Sequence, residues 1–160
     1  MTNCIEGALR VAKQVSSQAS KNTEAPSLVV GIAATASGHS ELATILSAMG
    51  VDTGITLVIL LSSAGAVDIH ATETLKRISS LPVFDVLPGT PLRSGCVYIA
   101  SLEKRISLSG GLFAVSSVQN RDEELAGVDA FFHDIATEFT LRSAGIVLSG
   151  HGEQGSLGLM

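Results

Sequence analysis

Leu28-Val29-Val30-Gly31-Ile32-Ala33-Ala34-Thr35-Ala36-Ser37-Gly38-His39 is the stretch that decides how this chain reads. Its first five residues form a continuous apolar run, the pattern of a strand buried on both faces. Small residues follow. Ser37-Gly38-His39-Ser40 then leads into Glu41 to Met49, which predicts a helix over 40–49 that Gly50 stops. A buried strand, a small-residue turn and a helix make up the repeating unit of a parallel sheet.

The same alternation continues outward. Ile55 to Leu61 is a second buried strand, and Ala66 to Ser79 a helix with Val67, His70, Ala71, Thr74, Leu75 and Ile78 along one side. Val83 to Leu87 is a third strand. Shorter pieces follow at Cys96–Ala100 and Arg105–Leu108, and Ser109-Gly110-Gly111 turns the chain into Leu112–Val115 as a hairpin. A helix is expected over Val128–Phe139, buried through Phe131, Phe132, Ile135 and Phe139. A last strand lies near 146–149. The fold class is therefore α/β: a doubly wound, mainly parallel sheet with flanking helices and an antiparallel hairpin excursion.

Residues 1–27 differ. Ile5, Ala8, Leu9, Ala12 and Val15 recur at helical spacing, and a polar, turn-rich segment from Ser16 to Pro26 follows. The expected organisation is an N-terminal helix and linker over 1–27 and one α/β domain over 28–160, with no internal repeat.

Composition narrows the function classes. Hydrophobic residues make up 46% of the 160 and charged residues 16%, so the chain can bury a core. The net charge is −5 and no basic run exceeds Lys76-Arg77 or Lys104-Arg105, which gives no footprint for nucleic acid. Cys4 and Cys96 are too few and too far apart for a disulfide framework or a metal site, and no cofactor is expected. Glu6 and the lack of an early apolar run argue against a signal peptide. The longest strongly apolar run, Ile55 to Leu61, is too short to span a bilayer. A soluble cytoplasmic protein, without membrane insertion, is the expectation.

In such sheets sites form at the carboxyl ends of the strands. Three loops matter: 33–39, 61–66 and 149–155. In the first, Thr35 and Ser37 place hydroxyls on a tight strand-to-helix turn, the geometry of a nucleophile elbow. The other reading makes Ser37 a helix cap. A dinucleotide fingerprint needs three glycines, and only Gly31 and Gly38 are present. The second loop, Leu61-Ser62-Ser63-Ala64-Gly65, holds no His, Asp or Glu that could act as a base. The third offers His151, Glu153 and Gln154, where His151 also reads as an exposed turn histidine.

Taken together, these segments resemble the catalytic domain of the CheB-type protein-glutamate methylesterases. That family's first turn reads Gly-Ala-Ser-x-Gly-Gly; here Ala34 and Gly38 match and Thr35 stands at the serine position. Its second motif is an apolar strand ending in Gln-His; Leu57 to Leu60 match the strand, and Leu61-Ser62 replace Gln-His. Its third motif is Val-Leu-Ser-Gly-x-Gly-x-Asp-Gly, similar to Val147-Leu148-Ser149-Gly150-His151-Gly152-Glu153-Gln154-Gly155, with Gln154 at the aspartate. Pro82-Val83, Pro88 to Leu92, Gly95 to Ile99, and Asp129 before Phe131-Phe132 resemble the family's middle region. The likeness covers Leu28 to Leu159.

The resemblance implies a glutamyl ester hydrolase triad whose three positions, Thr35, Ser62 and Gln154, are all substituted. Thr35 keeps a hydroxyl but adds a methyl to the attack path. Ser62 cannot act as a base near neutral pH, and Gln154 carries no charge to stabilise an imidazolium. The preferred reading is a catalytically degenerate domain serving as a binding or regulatory module in chemotaxis-type signalling, with a receptor, a signalling protein or a second copy as partner. The alternative is an active methylesterase-type serine hydrolase with a rearranged site, using Ser37 and His151 with His39 and Glu153 close by. Family members continue beyond the third motif, so a chain ending at Met160 is expected to leave a sheet edge or apolar face for the N-terminal helix or a partner to cover.

Overall fold

The computed structural model describes residues 25–51, 53–62 and 69–148. The expected N-terminal helix, most of the 1–27 segment and the loop carrying His151, Glu153 and Gln154 lie outside them.

Strand β1 (Leu28–Ala34), helix α1 (His39–Ala48), β2 (Ile55–Leu61), helix α2 (Ile69–Ile78), β3 (Val83–Asp85) and β4 (Val97–Ser101) come first. The hairpin strands β5 (Lys104–Ser109) and β6 (Leu112–Ser117), helix α3 (Arg121–Phe139) and strand β7 (Ser143–Val147) complete the described chain. Among the described residues, five strands form one sheet in the order β3-β4-β2-β1-β7, and every pairing is parallel. Strands β5 and β6 pair antiparallel as a separate two-stranded sheet. The expected α/β architecture with its antiparallel excursion is what the chain adopts.

Helices cover both faces of the sheet, which is why β1 and β2 read as unbroken apolar runs rather than alternating ones. On one face Val30, Ile32, Leu57, Ile59, Val97 and Ile99 pack with Leu42 and Leu46 of α1 and Leu75 of α2. On the other, Val29, Ala33, Val58, Leu60 and Ala100 meet Val128, Phe131, Phe132 and Ile135 of α3, and the hairpin adds Ile106, Leu108 and Phe113. Gly31 lies under α3. A β-carbon there would stand 2.9 Å from both Ile135 Cδ1 and Phe132 Cε1, so glycine is what lets the helix sit this close to β1.

Three boundaries differ from the sequence reading, each for a local reason. Strand β3 ends at Asp85 rather than Leu87. Val86 N–H still reaches Ile99 O at 3.0 Å, but Leu87-Pro88-Gly89-Thr90 then closes a turn, with Thr90 N–H on Leu87 O at 3.1 Å and Gly89 at φ 76°. Helix α3 begins at Arg121, seven residues before Val128, because Asn120 caps it: its side chain accepts the Glu123 N–H at 3.0 Å, and the Glu123 carboxylate reaches back to Gln119 N–H at 2.9 Å. Strand β7 starts at Ser143, since backbone pairing to β1 carries Ser143-Ala144-Gly145 into the sheet despite their small side chains. The hairpin turn is as expected: Gly110 and Gly111 have φ 58° and 73°, the left-handed pair that a two-residue type I′ loop requires.

Candidate functional site

The parallel register decides what can meet at the carboxyl edge of the sheet. Ala34 of β1 pairs with Leu61 of β2, and Ala33 pairs with Val147 of β7. The strands leading into the three candidate loops are therefore adjacent, in the order β2-β1-β7. Backbone bonds extend the pairing past the strand ends: Ser62 N–H donates to Ala34 O at 2.9 Å, and Leu148 N–H to Ala33 O at 3.0 Å. Side chains alternate across a strand. Gly31 and Ala33 face α3, as do Val58 and Leu60, so Thr35 and Ser62 follow them as neighbours at one rim of the sheet.

After Thr35 the chain tightens into a short 3₁₀ turn, Ala36–Gly38, closed by Gly38 N–H on Thr35 O at 2.9 Å. The Thr35 and Ser37 hydroxyls meet at 2.9 Å, and either can donate. The capping role considered for Ser37 is not what forms. The N-cap of α1 is Gly38 rather than Ser37. Both hydroxyls thus belong to the strand-to-helix turn itself, with Ser37 exposed and Thr35 half-buried.

The residue that sequence reasoning missed is Glu124. It stands in the first turn of α3, where that helix overhangs the carboxyl end of β2, and its Oε1 accepts a hydrogen bond from the Ser62 hydroxyl at 3.2 Å. Both groups are half-buried. The geometry follows from packing. Helix α3 lies on β1 through Phe132 and Ile135, and the eight residues from Phe132 back to Glu124 rise roughly 12 Å. The four residues from Gly31 forward to Thr35 rise about 13 Å along the strand. The helix start therefore lands level with the loops. The signal available in the sequence was the Asn120 cap followed by Asp122-Glu123-Glu124, an acidic first turn that marks a helix start.

Four side chains from three elements thus gather at this rim: Thr35 and Ser37 from the first loop, Ser62 from the second, and Glu124 from α3. They offer hydroxyl donors and acceptors and one carboxylate. Among the described residues there is no group of three or more His, Cys, Asp or Glu that could hold a metal ion. His133 is exposed on α3, and His39 stands at the start of α1. Gln154 and His151 lie outside the described residues; strand β7, the last described element before them, runs beside β1.

No helix among the described residues is long and apolar enough to cross a membrane. The fold is similar to that of the Thermotoga maritima CheB methylesterase catalytic domain, with a TM-score of 0.71 over 84% of this chain and 73% of that one at 18% identity. In sequence the chain is 27% identical over 148 residues to a protein-glutamate methylesterase/protein-glutamine glutaminase of Bordetella avium (strain 197N), covering 92% of this chain and 43% of the relative. It is 30% identical over 132 residues to a protein of the same description from Burkholderia pseudomallei (strain 1710b), covering 82% of this chain and 39% of the relative. The chain spans about two fifths of the length of these curated relatives. The CheB methylesterase family model matches residues 30–160, and with the parallel sheet and its three adjacent motif strands this places the chain in the CheB methylesterase family.

Proposed function

We infer that this chain is a methylesterase-type domain that binds rather than hydrolyses, a non-catalytic module of cytoplasmic chemotaxis-type signalling. The relatives' description as protein-glutamate methylesterases sets the chemistry to compare: acyl transfer by a hydroxyl nucleophile, a base that takes its proton, and an acid that holds the base. The observation that carries the reading is the Ser62–Glu124 hydrogen bond. At the position where the family places its histidine stands a hydroxyl, and that hydroxyl donates a hydrogen bond to Glu124 Oε1 at 3.2 Å. Thr35, at the family's nucleophile position, shares a hydrogen bond with Ser37 at 2.9 Å. Losing triad members in a serine hydrolase lowers turnover by up to roughly 10⁶-fold. An oxyanion site alone retains roughly 10³–10⁴ over water. The fitting partner is a protein bearing glutamate side chains or their esters, a receptor or another signalling protein; a second copy of this chain is the other partner the reading admits.

The test is methanol release from a peptide carrying a glutamyl methyl ester, followed with purified full chain. No release above the buffer rate is expected. One observation favours the alternative of a rearranged hydrolase: Ser37 is exposed on the turn, beside the strand that leads to His151. Release abolished by Ser37→Ala and by His151→Ala would establish that reading instead, and release abolished by Thr35→Ala would return the nucleophile to the family position.

A further inference from the structure

We propose that residues 5–15 of this chain dock as a helix on the Ala144–Ile146 row of strand β7, beside α1, and cover that side of the sheet in cis. The inference is independent of the binding reading above. Register gives the surface. Ala144 and Ile146 pair with Val30 and Ile32 of β1, and paired residues of a parallel sheet point to the same side. Val30 and Ile32 pack with Leu42 and Leu46 of α1, so Ala144 and Ile146 continue that side of the sheet beyond β1. Ile146 is 36% exposed and Ala144 is exposed as well, whereas Leu148, next in the row, packs against the core. Helix α3 packs against β7 from the opposite side. At the amino end of the strand stands Leu141, 99% exposed.

A pair of backbone anchors fixes where the N-terminal segment arrives. Arg142, directly before β7, donates to Pro26 O at 3.1 Å, and Ser27 N–H donates to Gly54 O at 3.0 Å. Pro26 is buried and Ala25 exposed. The preceding residues therefore leave from the amino end of β7, beside Leu141, whereas residues 149–160 follow from its carboxyl end. The sequence supplies the fit. Ile5, Ala8, Leu9, Ala12 and Val15 form one apolar stripe at helical spacing, with Arg10 on the opposite side. As a helix, residues 5–15 rise roughly 16 Å, and the five residues of β7 span roughly 17 Å. As a flexible coil, the linker Ser16 to Pro26 spans roughly 17–20 Å root-mean-square. A tether matched to the distance it must cover maximises effective concentration, which favours the chain's own segment over that of a second copy. A helix this short is marginal alone in water, so docking on the apolar row is what would hold it helical.

The experiment uses the full chain with Cys4→Ser, in which the remaining Cys96 is buried, and adds a reporter thiol by Ala144→Cys. Reaction with an aromatic disulfide reagent is followed by absorbance, each rate taken relative to that of the same variant unfolded in urea. Ser116→Cys, on the exposed side of the hairpin, supplies the rate of an open thiol. The thiol of Ala144→Cys is expected to react at least about ten-fold more slowly than that of Ser116→Cys. Leu9→Asp, within the stripe, should bring the two rates to within about two-fold, while Arg10→Asp, opposite the stripe, should leave the protection in place. Circular dichroism confirms that the sheet is retained, and Ile146→Cys repeats the comparison if Ala144→Cys does not fold. Protection that stays constant on dilution supports docking in cis; protection that fades on dilution assigns the row to a second copy and overturns the proposal. An open thiol at position 144, protection that Leu9→Asp leaves unchanged, or protection lost through Leu157→Asp instead would overturn it as well.

Discussion

Gly31→Ala should destabilise the fold by about 1–2 kcal/mol, because one added methyl has no room beneath α3. The new β-carbon would lie 2.9 Å from Ile135 Cδ1 and Phe132 Cε1, and 3.1 Å from Phe132 Cδ1. Carbon atoms pack comfortably at about 3.5–4.0 Å, so the neighbours must retreat by roughly half an ångström or more. Ile135 and Phe132 are each 1% exposed, and Phe131 beside them is 0%, so neither side chain has space to swing into. Overpacking of this kind costs about 1–3 kcal/mol. The opposing term is the unfolded chain's smaller freedom with alanine, about 0.4–1 kcal/mol in favour of folding. The difference sets the expected sign and size, and for a domain of this length it lowers Tm by about 2–8 °C.

Urea unfolding followed by far-ultraviolet circular dichroism would measure it, with the m-value expected to stay constant. A cycle with Ile135→Val tests the cause. That variant removes Cδ1, one of the two closest atoms, and by itself costs about 0.5–1.5 kcal/mol. In its background Gly31→Ala should cost at least about 0.5 kcal/mol less than in the native chain. A Gly31→Ala protein as stable as the native one, or two variants whose effects simply add, would refute the claim that α3 rests on Gly31 at contact distance.

Two further predictions concern groups that the sequence reading passed over. Burial pushes the Tyr98 phenol up to about 12, while its hydroxyl donates to Pro91 O at 2.8 Å and accepts Arg93 N–H at 3.0 Å. A folded-state pKa above the unfolded value of 10.0 means that this stabilisation is whole below pH 10 and is lost as pH rises towards about 12. Tyr98 is the chain's only tyrosine and there is no Trp, so near-ultraviolet tyrosinate absorbance reads it directly; an ordinary titration near pH 10 in the folded protein would contradict the burial. Thr140, at the end of α3, sits at φ 49° and ψ −117°, a conformation costly for a β-branched residue. Thr140→Gly should raise stability by about 1 kcal/mol while Ser143 Oγ keeps its bond to the Thr140 carbonyl, and a lower Tm would contradict the strain.

The sheet was legible because its central strands are buried on both faces. Ile55–Leu61 has no other reading that satisfies its apolar run, and β2 occupies those residues. The short elements were harder. Backbone pairing alone brings Ser143-Ala144-Gly145 into β7, and no side-chain pattern announces it. The start of α3 was marked by capping chemistry rather than periodicity, and Gly127 interrupts its helix-favouring run. That missed start is also why Glu124 escaped notice. With α3 begun at Val128, nothing in the sequence brings position 124 near the carboxyl end of β2. Thr35 and Ser62 could be picked out because they follow directly from strands whose register is fixed. Glu124 approaches across 62 residues of chain, and only packing of α3 on Gly31 brings it there.

Position of the charge and stability of the core are therefore set by the same contact, while identity of the site residues is not. Thr35, Ser37 and Ser62 follow the strands and belong to neither buried apolar cluster, so substitutions there should leave the packing of Val30, Ile32, Phe131 and Phe132 intact. A domain of this design can change its chemistry at little expense in shape. Glu124 differs from the loop residues in one respect. It is carried by a 19-residue helix whose seat on β1 is buried, so its placement is held by the core rather than by a loop's own conformation. Half-buried and bonded by the Ser62 hydroxyl, its carboxylate is held in one direction at the rim. If Gly31→Ala shifts α3, the Ser62–Glu124 hydrogen bond should weaken together with stability, whereas Thr140→Gly, at the far end of the same helix, should alter stability alone.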